Sequence, residues 1–335
     1  MSTSSSRGDR GLKIYVAGHR GMVGSAIVRY LQVQGFNNIV TRARPELDLA
    51  DQSATSRFFE RERPDWVFLA AAKVGGILAN QSQPADFISE NLSIQTNLIQ
   101  SARQCGVKRL MFLGSSCIYP RDCPQPIKEE YMMSGPLESS NRPYALAKLA
   151  GIEMCWAFNR QYGTDYIAVM PTNLYGPNDN YDPANSHVLP ALVGKMHKAK
   201  IESRSSVQVW GTGNVRREFL HADDMAAASL FLMGLPHDTY GSIAHSNTEA
   251  PIVNVGCGSD LTIRELAELI QEIVEFKGEL LFDHTKPDGT PRKLLDVSKL
   301  NRFGWKPKIN LRDGLQSVYR DFLSRQSAVN AGGRA

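Results

Sequence analysis

The sequence predicts an α/β protein, a Rossmann-type doubly wound parallel sheet with a smaller α/β substrate-binding part, on three observations. Short apolar runs alternate with helical patterns through the first half of the chain. A Gly-x-x-Gly-x-x-Gly segment lies between the first such run and the first helical pattern. Beyond Pro171 the texture changes, with Pro171, Pro177, Pro183 and Pro190 punctuating shorter, more scattered helical segments.

The elements can be justified in order. Lys13-Ile-Tyr-Val-Ala17 reads as a buried strand, Met22 to Gln34 has helical periodicity and stops before Gly35, and Asn38 to Thr41 reads as a second strand. Trp66-Val-Phe-Leu-Ala70, Leu110-Met-Phe-Leu113 and Tyr166-Ile-Ala-Val-Met170 repeat the strand pattern. Strand and helix alternating at this pitch imply right-handed βαβ units and a sheet covered on both faces, with ligands at the carboxyl ends of the strands. Residues 13–170 are therefore expected to form the cofactor-binding domain. Residues 171–324 are expected to form mainly the substrate-binding domain, interleaved with late sheet strands such as Ile252 to Val255. Residues 1–12 are Ser/Arg/Gly-rich without an apolar core and read as a disordered leader, not a signal peptide; residues 325–335 read as a frayed tail.

Bulk properties narrow the partners. The 335 residues carry 38 basic and 34 acidic side chains, and the resulting +4 is spread along the chain, so composition makes no case for nucleic acid and leaves anionic small molecules open. The longest apolar stretch, Trp66 to Ala72, stops at Lys73 and is too short to span a bilayer, so no membrane partner is expected. Five cysteines, at 105, 117, 123, 155 and 257, include no C-x-x-C pair, and an odd number cannot be fully bridged; a reducing cytoplasm fits best.

The glycine segment, Gly18-His19-Arg20-Gly21-Met22-Val23-Gly24, gains meaning from following a strand and opening a helix. Gly18 permits the tight turn, Gly21 lets backbone N–H groups approach a pyrophosphate, and Gly24 allows the helix to pack closely, with the helix dipole favouring the anion. About 20 residues further on, where a carboxylate would take the ribose hydroxyl of NAD, stands Thr41-Arg42-Ala43-Arg44. Arg20 and Arg44 together suit the extra phosphate of NADP, because a guanidinium meets phosphate through two parallel hydrogen bonds.

Two further segments place reactive groups. Tyr144 and Lys148 are four residues apart on a helix and share a face, where a neighbouring ammonium and the nicotinamide charge would lower the phenol pKa and suit it to give a proton to a developing alkoxide. Ser115 ends a central strand within reach of the same oxygen. Cys117 lies two residues beyond Ser115, so an extended backbone there would turn both side chains into one cleft. His187 titrates near neutrality and could act across from it. His221-Ala-Asp-Asp224 looks metal-like, but Asp223 before an apolar helix is more simply an N-cap, and no metal is expected.

These residues resemble the extended short-chain dehydrogenase/reductase family of nucleotide-sugar enzymes over about Lys13 to Leu323. The likeness is carried by Ala17-Gly-His-Arg-Gly-Met-Val-Gly-Ser25, Ala70-Ala-Ala-Lys-Val-Gly-Gly-Ile77, Gly114-Ser-Ser-Cys-Ile-Tyr-Pro120 and Pro171-Thr-Asn-Leu-Tyr-Gly-Pro177. The resemblance implies a seven-stranded parallel sheet, NADPH as reductant, and a homodimer packed through two helices per subunit. It also implies 3,5-epimerisation of GDP-4-keto-6-deoxy-D-mannose followed by 4-keto reduction. It makes Cys117 and His187 an acid/base pair and Ser115, Tyr144 and Lys148 the reducing set. It extends the cofactor site to Leu49, Leu113, Gly114, Ser116, Pro171, Thr172, Asn173 and Leu174, with Lys148 and His187 also touching the cofactor. It puts Lys195, Trp210, Arg217 and Asp288 on the GDP-sugar. The rival expectation is a related 4-epimerase or 4,6-dehydratase that keeps its cofactor and returns the hydride in each cycle.

Overall fold

The computed structural model describes residues 9–182, 186–286 and 288–332. The first eight residues of the expected leader and the last three of the expected tail lie outside the described residues.

The chain opens with a 3₁₀ turn, Asp9–Gly11, and then alternates strand and helix: β1 Ile14–Ala17, α1 Met22–Val33, β2 Ile39–Val40, α2 Gln52–Glu62, β3 Trp66–Leu69, α3 Ile77–Ser82, α4 Pro84–Gln104, β4 Arg109–Leu113, α5 Arg142–Tyr162 and β5 Asp165–Pro171. The second half runs β6 Asn173–Tyr175, α6 Val188–Ile201, β7 Ser206–Trp210, β8 Arg216–Arg217, β9 Phe219–His221, α7 Ala222–Met233, α8 His237–Ala244 and β10 Ile252–Val255. It ends with β11 Leu261–Thr262, α9 Ile263–Val274, β12 Glu279–Asp283, β13 Arg292–Lys293, α10 Ser298–Arg302 and α11 Leu311–Gly332.

Local chemistry sets several boundaries. Asp51 caps α2 by accepting the Ala54 N–H at 2.9 Å, Pro143 occupies the first turn of α5 where its missing N–H costs nothing, and Thr262 with Glu265 closes a capping box on α9. The expected frayed end at residue 325 is instead helical: α11 continues to Gly332, past an i,i+4 ion pair between Asp321 and Arg325 at 2.9 Å.

The central sheet is parallel in the order β10-β5-β4-β3-β1-β2. It has six strands among the described residues, where the resemblance implies seven. After β5 the chain leaves the sheet, because β6 pairs with β9 as a separate two-stranded ladder. Strands β1, β3 and β10 are buried at every position, as befits a sheet with helices on both faces. One face packs α1, α7 and α8 over Val16, Phe68 and Val253; the other packs α2, α4 and α5 over Tyr15, Val67 and Phe112. Tyr15 meets Phe58 and Phe59 with ring centres 4.6 and 5.8 Å apart. A third core, around Leu192, Met196, Leu266, Ile270 and Phe322, joins α6, α9 and α11.

The metal-like run resolves into helix chemistry. His221 is the N-cap of α7, its Nδ1 accepting the Asp223 N–H at 3.2 Å. Asp223 is not the cap, because α7 begins one residue before it, and from the first turn its carboxylate pairs with Arg29 on α1 at 2.6 Å. Asp224 accepts from the Lys308 and Ile309 backbone N–H groups.

Candidate active site

The carboxyl ends of β1, β3, β4 and β5 open into one cleft of about 960 Å³, near the upper end of the usual range for ligand pockets. Every site residue expected from the sequence lines it, from Gly18 at one end to Asp288 at the other.

At the β1 end, Gly18 adopts φ +83°, and a Cβ there would lie 2.6 Å from the Ala71 nitrogen. A Cβ on Gly24 would stand 2.1 Å from the Gly18 carbonyl oxygen, so the start of α1 is pressed against the turn before it. Gly21 is the N-cap of α1 and offers no side-chain cap, which leaves the first N–H groups of the helix for a ligand. The ring nitrogen His19 Nδ1 is buried without a partner. This cradle fits a dinucleotide pyrophosphate.

The arginines of this end differ from one another. Arg20 is exposed at the cleft. Arg44 is 67% exposed and already paired, with Glu90 at 2.8 Å and Asp48 at 3.6 Å, so a carboxylate absent from the local sequence arrives from α4. Arg42 is bound to Glu62 at 2.9 Å and lies over the Phe58 ring.

In the middle of the cleft, Ser115 is extended and accepts the Cys117 N–H at 3.2 Å. The backbone then turns into a 3₁₀ segment, Ser116–Ile118, so the extended run expected through Cys117 is not formed; the turn nevertheless sets Cys117 on the cleft wall. Its sulfur receives the Asn141 Nδ2 at 3.0 Å and the Lys293 Nζ at 3.6 Å. Burial pushes the thiol pKa up, but the Lys293 charge and hydrogen bonds from Ser115, Lys293 and Asn141 outweigh it and leave the pKa lowered.

Tyr144 and Lys148 share a face of α5, the ammonium 5.8 Å from the phenol ring centre. The ammonium alone does not lower the phenol pKa. Burial and the neighbouring Cys117 raise it, and the hydrogen bond with Ser115 only partly offsets this. The reason is the direction of Lys148: Nζ donates to the Leu113 carbonyl oxygen at 2.7 Å, and burial lowers its pKa to about 7. His187, the N-cap of α6, has an exposed surface yet is crowded by the cleft walls, and this desolvation with the Lys293 charge lowers its pKa.

At the far end, Trp210 stands 49% exposed between Lys195, 5.2 Å from its ring centre, and Lys286, at 5.5 Å. Asp288 accepts from the Thr212 N–H at 2.7 Å and the Thr212 hydroxyl at 2.9 Å, which fixes its carboxylate. Arg217 donates to the Arg216 carbonyl at 2.8 Å; burial lowers its pKa, with Asp288 and Cys117 acting the other way.

Sequence reasoning missed Lys293 and Asn141 against the thiol, and Glu218, whose buried carboxylate accepts from Gly258 at 2.7 Å and Leu295 at 3.0 Å. Its carbonyl also accepts from Thr172 Oγ1 and Asn173 Nδ2, pinning the loop after β5. Lys293 and Asn141 sit in no motif, and Glu218 lies in the family-like stretch from Val209 to His221 that also holds Trp210 and Arg217. The only other sequence signal is the basic pair Arg292-Lys293 facing another basic pair, Arg216-Arg217. Among the described residues no group of three or more His, Cys, Asp or Glu is placed to hold a metal, and no helix is long and apolar enough to cross a membrane.

Comparison with known proteins adds the following. Residues 14–244 match the NAD dependent epimerase/dehydratase family. The chain is 56% identical over 322 residues to GDP-L-fucose synthase 1 of Arabidopsis thaliana, covering 96% of each. It is 53% identical to GDP-L-fucose synthase of Escherichia coli strain K12, covering 94% of this chain and 97% of the relative. Among solved structures, a GDP-L-fucose synthetase from Naegleria fowleri bound to NADP superposes with a TM-score of 0.81 at 26% identity, covering 94% of each chain.

Proposed function

The chain belongs to the NAD dependent epimerase/dehydratase family, and from that premise we propose that it converts GDP-4-keto-6-deoxy-D-mannose to GDP-L-fucose by 3,5-epimerisation and NADPH-dependent reduction. It is an enzyme of oxidoreductase and epimerase chemistry, taking a nicotinamide cofactor and a GDP-sugar. The observation that carries the reading is Cys117, with two donors on its sulfur, in the same cleft as Ser115, Tyr144 and Lys148. Reduction alone has no use for such a thiol; inversion beside a ketone does.

NADPH, when bound, supplies the hydride for C4. The glycine turn and the uncapped start of α1 hold its pyrophosphate, and Arg20 with Arg44 takes the extra phosphate. Tyr144 keeps its proton at neutral pH, which suits a donor to the oxygen that becomes an alkoxide, and Ser115 binds the same oxygen. Lys148 holds the Leu113 carbonyl and so fixes the end of β4 beneath the reacting sugar.

The 4-ketone acidifies the protons on C3 and C5. Cys117 and His187 exchange them from opposite faces. Lys195 and Arg217 bind the diphosphate, Trp210 packs against the ligand, and Asp288 orients it. Residues 13–170 serve the cofactor and residues 171–324 mainly the sugar nucleotide, in a cytoplasmic homodimer. The alternative of a 4-epimerase or 4,6-dehydratase is not favoured, since the relatives that are 56% and 53% identical over nearly the whole chain are GDP-L-fucose synthases.

Incubation with GDP-4-keto-6-deoxy-D-mannose and NADPH tests the reading. One NADPH should be consumed per GDP-L-fucose formed. Turnover without net NADPH oxidation would assign the chain to the internally cycling enzymes instead.

A further inference from the structure

The small three-stranded sheet β11-β8-β13 carries four cations in two registered pairs, Arg216 opposite Arg292 and Arg217 opposite Lys293. Side chains alternate along a strand, so each pair has its own side. Arg216 and Arg292 both close on the buried Asp260 carboxylate, at 2.9 and 2.5 Å, and Glu265 lies 3.9 Å from Arg216, so two carboxylates face this pair. Arg217 and Lys293 take the other side and line the cleft. There Lys293 Nζ comes within 3.6 Å of Cys117 Sγ, while Asn141 Nδ2 donates to the same sulfur at 3.0 Å. A neutral thiol is a poor acceptor for one such donor; a sulfur anion accommodates both.

We propose that Lys293 is a positioning residue for Cys117: delivered by the β8–β13 pair, its ammonium holds the sulfur as a thiolate and makes Cys117 the base of the epimerisation. This rests on the proposed acid/base role of Cys117. In the step concerned, the proton on C3 or C5 passes to Sγ and its bonding pair enters the enolate of the 4-ketone. His187 then returns a proton to carbon from the other face.

The charged and titratable groups around this pair are few. Tyr144 and Arg217 feel Cys117, Arg217 also feels Asp288, and Cys123 and His187 feel Lys293. Lys293 acts in the same direction on both members of the acid/base pair, favouring the thiolate and disfavouring the imidazolium. Removing it should therefore move both limbs of the exchange profile together.

The test uses the full chain with Lys293→Met and Lys293→Arg. Peptide-resolved iodoacetamide labelling of Cys117 is followed against pH, alongside deuterium entry at C3 and C5 of GDP-4-keto-6-deoxy-D-mannose in D₂O with NADP⁺ replacing NADPH. In Lys293→Met the labelling midpoint should rise by about a unit, exchange at pH 7 should fall about tenfold, and both limbs of the pH profile should shift to higher pH. Lys293→Arg should keep the wild-type midpoint, because it keeps the charge. An unchanged labelling midpoint in Lys293→Met overturns the proposal, and so does a midpoint raised equally in Lys293→Arg. NADPH binding checks that each variant is folded; if Lys293→Met does not fold, Lys293→Gln takes its place. Failure of the underlying role looks different: Cys117→Ser would then exchange deuterium at the wild-type rate, whatever the labelling profiles show.

Discussion

The two ends of the cleft hold positive charge by opposite means. At the β1 end the positive field belongs to the backbone: a glycine turn with no room for a Cβ and a helix start left without a side-chain cap. At the β8–β13 end it belongs to side chains, Arg217 and Lys293, in a sheet whose other two cations face carboxylates, Asp260 for both and Glu265 for Arg216. A backbone site is fixed as soon as the turn folds and tolerates no bulk. A side-chain site must be assembled from distant segments, and its charges can be adjusted singly.

The largest effect should come where the two ends meet. Tyr144→Phe keeps the ring against Phe87 and removes the proton donor, so NADPH oxidation should fall by roughly 10²- to 10⁴-fold, while deuterium entry at C3 and C5 persists. Stopped-flow absorbance and NMR read the two activities separately; loss of both in parallel would mean the halves of the cleft do not work independently.

A smaller effect sharpens the cofactor end. A charge-assisted hydrogen bond is worth about 1.5–3 kcal/mol, so Arg20→Ala should raise the KM for NADPH roughly 10- to 150-fold and leave NADH nearly unchanged. Arg44→Ala should cost less, because Arg44 must leave Glu90 and Asp48 to reach a phosphate. Equal rises for both cofactors would reduce the arginines to general anion attraction.

Asp260→Asn probes the other end. Breaking a buried ion pair costs about 3–5 kcal/mol, and the 39% and 43% exposure of the two arginines reduces this to roughly 1–3 kcal/mol. The expected result is a Tm lower by a few degrees and a higher KM for the GDP-sugar, with the NADPH Kd unchanged. The two arginines hold the Asp260 pKa down, so its contribution is fully present at neutral pH and is lost only as pH falls through that lowered value.

A separate effect is a pH dependence of stability. Lys148 has a folded pKa of about 7 against an unfolded value of ~10.4, so between these values the unfolded chain holds the extra proton and stability rises with pH. Lys148→Met should exceed the wild-type Tm at pH 7 by a few degrees, the gap closing towards pH 10. Parallel melting curves across that range would refute it.

The same contrast explains what could be read from the sequence. The glycine turn is contiguous, and its strand and helix neighbours announce it, so β1 and α1 were legible to within a residue or so. Tyr144 and Lys148 were legible as a shared helix face. Spacing could not show that Nζ would turn to the Leu113 carbonyl and leave the phenol pKa raised. Lys293 and Asn141 were not legible, because what brings them to Cys117 is a strand pairing and a helix start far along the chain. The same holds for Asp223, whose helix starts earlier than expected with His221 as its cap, and whose carboxylate meets a guanidinium 194 positions away.

The place of β10 in the sheet has a consequence for biosynthesis. β5 lies between β4 and β10, yet Ile252 is added to the nascent chain only after residues 172–251. At ordinary translation rates that interval is on the order of ten seconds, long compared with the folding of the βαβ units already emerged. Throughout it the outer edge of β5, Ala168 to Pro171, is an unpaired parallel edge of the kind that recruits other chains. Chaperone occupancy on the ribosome should therefore be greatest in this window and should fall when Val255 clears the exit tunnel.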